Sequence, residues 1–142
     1  MIIKNPLGIR IKNSDTIINS SLSEITFLNI FSDLILKKDK TDTDFSHYQM
    51  FGLIYNEYIL VSLCFKSNSL LFADIFPQFH SQNFNRDFTP SHVLNEQDTV
   101  RKWFKKHISY NRTDCDGSAA YFIAGDGDPL HPPKIRLRFR NF

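Results

Sequence analysis

Cysteine is scarce in this 142-residue chain. Cys64 and Cys115 are too few for a disulfide framework or a four-thiolate zinc site. Glycine is scarce as well, with five residues. No pair of glycines has the spacing of a P-loop or a dinucleotide fingerprint, and no serine sits in a G-x-S-x-G elbow. No stretch approaches 18 consecutive apolar residues, which excludes a helix spanning a membrane. The opening Met1-Ile2-Ile3-Lys4-Asn5-Pro6 lacks the apolar run of a signal peptide, so the expected location is cytoplasmic. Neither sign of charge dominates: 17 basic residues against 15 acidic give a net charge of +2. That is too small to mark a nucleic-acid binder by itself.

Catalytic spacings are also missing. The histidines at 47, 80, 92, 107 and 131 include no i, i+4 pair, so a zinc-hydrolase motif is absent. Asp114-x-Asp116-Gly117 and Asp126-Gly127-Asp128 resemble fragments of a calcium loop. Such a loop ends in a bidentate glutamate, and no glutamate lies beyond residue 96. These residues read more simply as turn formers. Cys64 falls in an apolar run and reads as buried and inert. Cys115 stands between two aspartates whose charge disfavours a thiolate. A Cys–His hydrolase pairing Cys115 with His92 or His131 is the residual enzymatic alternative. The expectation is therefore a protein that is not an enzyme and needs no metal or cofactor.

What is present is a patterned chain, rich in apolar residues (42 %) and in phenylalanine (14 residues). A composition this close to the globular average, at this length, predicts a single domain over residues 1–142. Residues 7–12 alternate apolar and polar, the period of a half-buried strand. Ser21-Leu22-Ser23-Glu24 reads as a capping box, with a helix from about Leu22 to Leu36. Ile25, Leu28, Phe31, Leu34 and Ile35 mark its buried side, widened by Phe27 and Ile30. Lys37 and Lys38 suit its carboxyl end. Three apolar runs follow at 48–54, 58–65 and 69–76. The gaps Tyr55-Asn56-Glu57 and Lys66-Ser67-Asn68 are too short for a parallel crossover, so the runs form an antiparallel meander. Its middle strand is apolar on both faces, which predicts cover on each.

Pro77 ends the meander, and residues 78–92 read as a loop. A second helix begins near Asn95, with Val100, Trp103, Phe104, His107 and Ile108 on one stripe. Strands follow at 119–124 and 134–140. The expected fold is α+β, a mainly antiparallel sheet with two helices in the order β-α-β-β-β-α-β-β.

Charge is segregated within the second half. Residues 1–71 carry seven bases and seven acids, whereas residues 72–142 carry ten and eight. Eight of those ten bases lie in the second helix and the last strand. Arg101, Lys102, Lys105 and Lys106 occupy the polar face of the helix. Arg136, Arg138 and Arg140 line one face of the strand. If the two faces adjoin they make a cationic patch for phosphate or an acidic protein surface. The plainer reading is two separate solvated faces, with the strand's bases deterring edge-to-edge pairing. The loop 78–92 holds Phe79, Phe84 and Phe88 in polar surroundings. Either these fold back on the core, or they anchor a partner with Arg86 and Asp87 as a polar rim.

One resemblance extends over residues 9–79. A strand, a capped helix ending near Leu36, and the run Tyr48-Gln49-Met50-Phe51-Gly52-Leu53-Ile54-Tyr55 opening a meander are similar in outline to bacterial immunity proteins. Bacteria make these against their own polymorphic or contact-delivered toxins. The resemblance implies a cytoplasmic protein that neutralises a cognate toxin by protein–protein contact and does no chemistry. It carries over no binding residue. Inhibitors of nuclease toxins are often acidic, and this chain is mildly basic. The implied partner is therefore an acidic toxin, or one bound away from its active site. Nucleic-acid binding through the basic helix and last strand is the alternative expectation.

Overall fold

A computed structural model describes residues 1–4, 7–12, 14–40, 44–80, 90–108, 112–113, 117–126 and 131–139. Strands β1 (Ile2–Lys4), β2 (Leu7–Arg10) and β3 (Ile17–Asn19) pair antiparallel as a small sheet. Helix α1 (Glu24–Phe31) follows. A single 3-10 turn (Ser32–Leu34) then runs into β4 (Ile35–Lys40). Next come β5 (Phe45–Ile54), β6 (Glu57–Lys66) and β7 (Ser69–His80), and after them α2 (Pro90–His107). The last elements are β8 (Arg112–Thr113), β9 (Ala119–Ile123) and β10 (Lys134–Arg138). The large sheet has the order β4-β5-β6-β7-β10-β9-β8 and is antiparallel throughout. The fold is α+β, as the sequence pattern predicts.

The meander forms because its connections are tight. Tyr55-Asn56 and Ser67-Asn68 have φ of 50°, 67°, 49° and 70°. Positive φ at both central positions makes each a type I′ turn, whose twist matches the strands it joins. Asn68 does a second job. Its carbonyl accepts from Glu24 N (3.1 Å) and its side-chain oxygen accepts from Ile25 N (3.1 Å). Ser23 Oγ accepts from Thr26 N (3.1 Å). The free amides that open α1 are thus closed partly by a hairpin more than forty residues on. Asn68→Ala is expected to cost about 1–2 kcal/mol, because it removes a cap and puts a Cβ-bearing residue without local hydrogen bonding at positive φ. Asn68→Gly relieves the second penalty and should cost less. Urea unfolding of the two variants gives the comparison.

Alternation along the large sheet gives it two unlike faces. Met50, Ile54, Ile59, Val61, Leu63, Phe65, Ala73, Ile75, Ala120, Ile135 and Leu137 point to one side and join the main core. Phe27 and Phe31 of α1, Val100, Trp103 and Phe104 of α2, Ile108 just after it, and Leu7, Ile9 and Ile18 of the small sheet all pack on that side. Gly52 permits the approach of the segment after β2, for a Cβ there would stand 2.6 Å from Ile11 Cδ1. Tyr55 sits at a backbone angle unusual for a bulky residue and is held on three sides. Its hydroxyl accepts from Ile2 N (3.0 Å), its ring stacks on His107 (3.9 Å), and it meets Trp103 edge-on. Burial first, and Lys106 second, keep the His107 imidazole below its ordinary pKa.

Several expectations fail for local reasons. The capping residue is Ser23, not Ser21, and Glu24 is the first helical residue. The helix stops at Phe31, and Lys37 and Lys38 lie in β4. Ser32 and Asp33 weaken the helix by competing for its backbone bonds, while residues 35–40 gain a ladder with β5. The buried side of α1 is carried by Phe27 and Phe31, and Ile25, Ile30 and Leu34 are exposed rather than buried. The meander does not end at Pro77. The register shift between Ile59↔His80 and Leu60↔Phe76 is a bulge that takes the proline inside β7. Helix α2 starts at Pro90, a residue preorganised for a first turn, and Asn95 is an exposed position within it. Strand β10 lies between β7 and β9, so its bases do not guard a sheet edge. No described helix covers the second face of β6. Its Leu60 is buried instead by Phe51, Phe76 and Phe79 of the same sheet.

Candidate functional site

The two basic elements do not merge. Helix α2 lies on the core side of the sheet, where Val100 and Phe104 share a cluster with Ile135 and Leu137. Arg136 and Arg138 leave β10 on the opposite side. Arg101, Lys102, Lys105 and Lys106 are all exposed. Lys102 pairs with Asp98 one turn back (2.9 Å), and that hydrogen bond holds the Asp98 carboxyl below its ordinary pKa. Arg101 lies over the Phe122 ring (5.0 Å).

Arg136 is not free to meet a partner. Its Nε donates to Asp74 Oδ1 (2.8 Å) and its Nη2 to Asp74 Oδ2 (3.0 Å), a bidentate pair. Lys134 Nζ reaches the same carboxylate at 3.1 Å. The Asp74 side chain is 5 % exposed, against 21 % for Arg136 and 22 % for Lys134. Arg136 also covers the Phe72 ring (4.0 Å), and its pKa is raised, chiefly by the bond to Asp74. This group ties β7 to β10, so Arg136 serves the sheet. Arg138, next along the strand, is exposed. Arg140 lies outside the described residues.

Phe79 is corrected in the same way. The bulge turns it onto Leu60 and Phe76, and its ring centroid is 5.8 Å from that of Phe76. At 6 % exposure it offers no apolar surface to a partner. Phe84, Arg86, Asp87 and Phe88 lie outside the described residues, as does Cys115.

Across the second face of the sheet, Asp39, His47 and Cys64 stand side by side on β4, β5 and β6. The thiol lies 3.9 Å from His47 Nε2. Lys37, Asp39, His47, Gln49 and Ser62 line a shallow depression there, about 290 Å³ in volume. Acid, imidazole and thiol in a row resemble a nucleophilic triad, but the thiol is wrong for it. Burial first, and the Asp74 charge second, push Cys64 up to about 11. It is 1 % exposed and stays protonated at neutral pH. Among the described residues no group of three or more His, Cys, Asp or Glu is placed to hold a metal ion. Among the described residues no helix is long and apolar enough to cross a membrane.

The surface that sequence reasoning missed lies where the 3-10 turn meets the sheet. Ile11, Ile30, Phe31, Leu34, Leu53 and Tyr58 line a groove beside Lys12 and Phe51. Ile30 is 44 % exposed, Leu34 40 % and Tyr58 52 %. Leu36, at the bulge in β4, is 59 % exposed. A signal was there to be read. Residues 25–36 carry more apolar side chains than one helical stripe can bury, so some had to find another use. Among the described residues, strand β4 is also the outer strand of its sheet, with β5 as its sole partner.

The chain matches no protein-family model, no curated protein and no solved structure.

Proposed function

We propose that this chain is an immunity protein, one that binds a cognate bacterial toxin in the cytoplasm and neutralises it by surface contact without chemistry. The observation that carries the reading is the half-exposed group Ile30, Leu34 and Tyr58 around one groove, with Leu36 just beyond it. Large apolar side chains grouped at an open sheet edge cost solubility, and protein interfaces take their affinity from such anchors. Lys12 beside them, and the exposed Lys37 and Lys38 further along β4, supply cations suited to an acidic toxin surface.

The test is co-expression with whichever product of an adjacent gene proves toxic when expressed alone. The wild-type chain should restore growth and copurify with the toxin. Leu34→Asp combined with Tyr58→Asp alters exposed positions only, so the fold should survive. The pair should weaken binding at least about 100-fold, as loss of interface anchors does. A wild-type chain that neither binds nor protects would sink the reading.

Nucleic-acid binding is the alternative, favoured by the exposed Arg101, Lys102, Lys105 and Lys106 of α2. It is weakened by β10, whose bases face away from the helix and whose Arg136 is bound to Asp74. A binder with four phosphate contacts would lose roughly 100-fold in affinity between about 50 and 200 mM salt. The expected result is no such salt-dependent binding to duplex DNA or to RNA.

A further inference from the structure

We infer that the partner attaches at the open edge of β4, by adding an extended acidic strand to the large sheet. This deepens the protein-binding reading above and rests on it.

An outer strand presents a row of backbone N–H and C=O groups that another strand can complete. β4 is six residues long, and its Leu36, Lys37, Lys38 and Asp39 are exposed, so its surface is open to solvent. The outer strand at the other end, β8, spans two residues and makes a poor template. Lysines on a sheet edge often serve only to repel other strands. A purely defensive edge would not carry Leu36 at its bulge and Leu34 just before it, both half in water. Ile35-Leu36-Lys37-Lys38-Asp39-Lys40 is apolar at one end and basic at the other. The apolar end runs directly into the groove of Ile30, Leu34 and Tyr58.

That pattern also selects the occupant. In a second copy, antiparallel pairing centred on the strand would set Lys37 opposite Lys38 twice, and like charges directly opposed are unfavourable. A complementary strand instead carries carboxylates opposite Lys37 and Lys38. It continues into apolar side chains opposite Ile35 and Leu36. Backbone bonds would supply the attachment, and the order of acidic then apolar residues its selectivity.

A pair of synthetic peptides tests this on the full-length chain. One is acetyl-Glu-Thr-Glu-Glu-Val-Val-amide, and the other has lysine in place of each glutamate. With the acidic peptide, amide resonances of residues 35–40 should shift and their hydrogen exchange should slow at least fivefold. The lysine peptide should do neither. In the double variant Lys37→Glu with Lys38→Glu, whose fold is checked by circular dichroism, the preference should reverse. Absence of any change at β4 with the acidic peptide would overturn the proposal. Equal effects from both peptides would overturn its acidic occupant. Growth protection that survives the charge reversal unchanged would place the toxin elsewhere and remove the edge while leaving the protein-binding reading intact. Loss of protection by the wild-type chain would instead strike that reading, and the peptide result would still decide the edge.

Discussion

Replacing Asp74 by alanine is expected to lower the unfolding free energy by about 2–4 kcal/mol, among the largest losses that one side chain in this protein can cause. The carboxylate is nearly buried and accepts from Arg136 Nε at Oδ1 and Nη2 at Oδ2, while Lys134 approaches Oδ2. Its removal leaves two cations, each about one fifth exposed, without a counter-charge. Breaking a fully buried pair costs about 3–5 kcal/mol, and the partial exposure of both cations trims that figure. Asp74→Asn keeps an acceptor and should cost less. Asp74→Leu together with Arg136→Met removes the bidentate pair at similar volume and should recover much of the loss, leaving Lys134 alone without its counter-charge. Denaturant unfolding of the four proteins measures the ordering. A second readout separates electrostatics from packing. The Asp74 charge helps hold the Cys64 thiol near 11, so thiol reactivity at alkaline pH should begin at lower pH in Asp74→Ala. If the double variant proved as unstable as Asp74→Ala, packing rather than charge would be the cause.

The same ion pair shows why part of this protein was not legible in its sequence. The alternation of residues 134–139 reveals a strand with a basic face and an apolar face, and that is what forms. Alternation carries no record of neighbours, however, and Asp74 lies sixty-two residues away in sequence. A face that reads as solvated is instead a structural cross-link between β7 and β10. The meander was readable because its information is local: two apolar strands, an Asn-bearing gap, a third strand. The end of α1 was not. From Leu28 to Leu36 apolar residues are dense enough to satisfy both a helical and a strand period, and only the free side of β5 decides between them. The candidate groove was hidden for that reason, since a helix continued to Leu36 would have turned Leu34 inward. The exposed bases of α2 were readable because the helical period separates them from Val100, Trp103 and Phe104. Phe79 was misplaced because Pro77 ordinarily ends a strand, and a bulge lets this one continue.

Phe27→Ala is expected to cost about 3–5 kcal/mol and to lower the melting temperature by roughly 10–20 °C. Phe27 is fully buried, and its ring centroid lies 5.5 Å from Phe31, 5.3 Å from Tyr48 and 5.4 Å from Phe65. It is the one ring of the four that touches the other three in this cluster. Truncation removes its transfer energy and leaves a void between a helix and a sheet. Neither can close the void by itself. α1 is pinned at its start by Asn68 and Ser23, and Tyr48 is pinned by its hydroxyl, which donates to Glu24. Because both walls are tethered, the site should relax little and the loss should fall at the upper end for such substitutions. Phe27→Leu keeps most of the volume and should cost less than half as much. The contrast with Ile25, 64 % exposed two residues earlier on the same helix, is the sharper check. Ile25→Ala should change stability by less than about 0.5 kcal/mol, as surface substitutions do. Thermal and urea unfolding of the three variants would show whether α1 is held to the sheet through Phe27. Equal losses at positions 25 and 27 would mean that the apolar side of this helix had been assigned to the wrong residues.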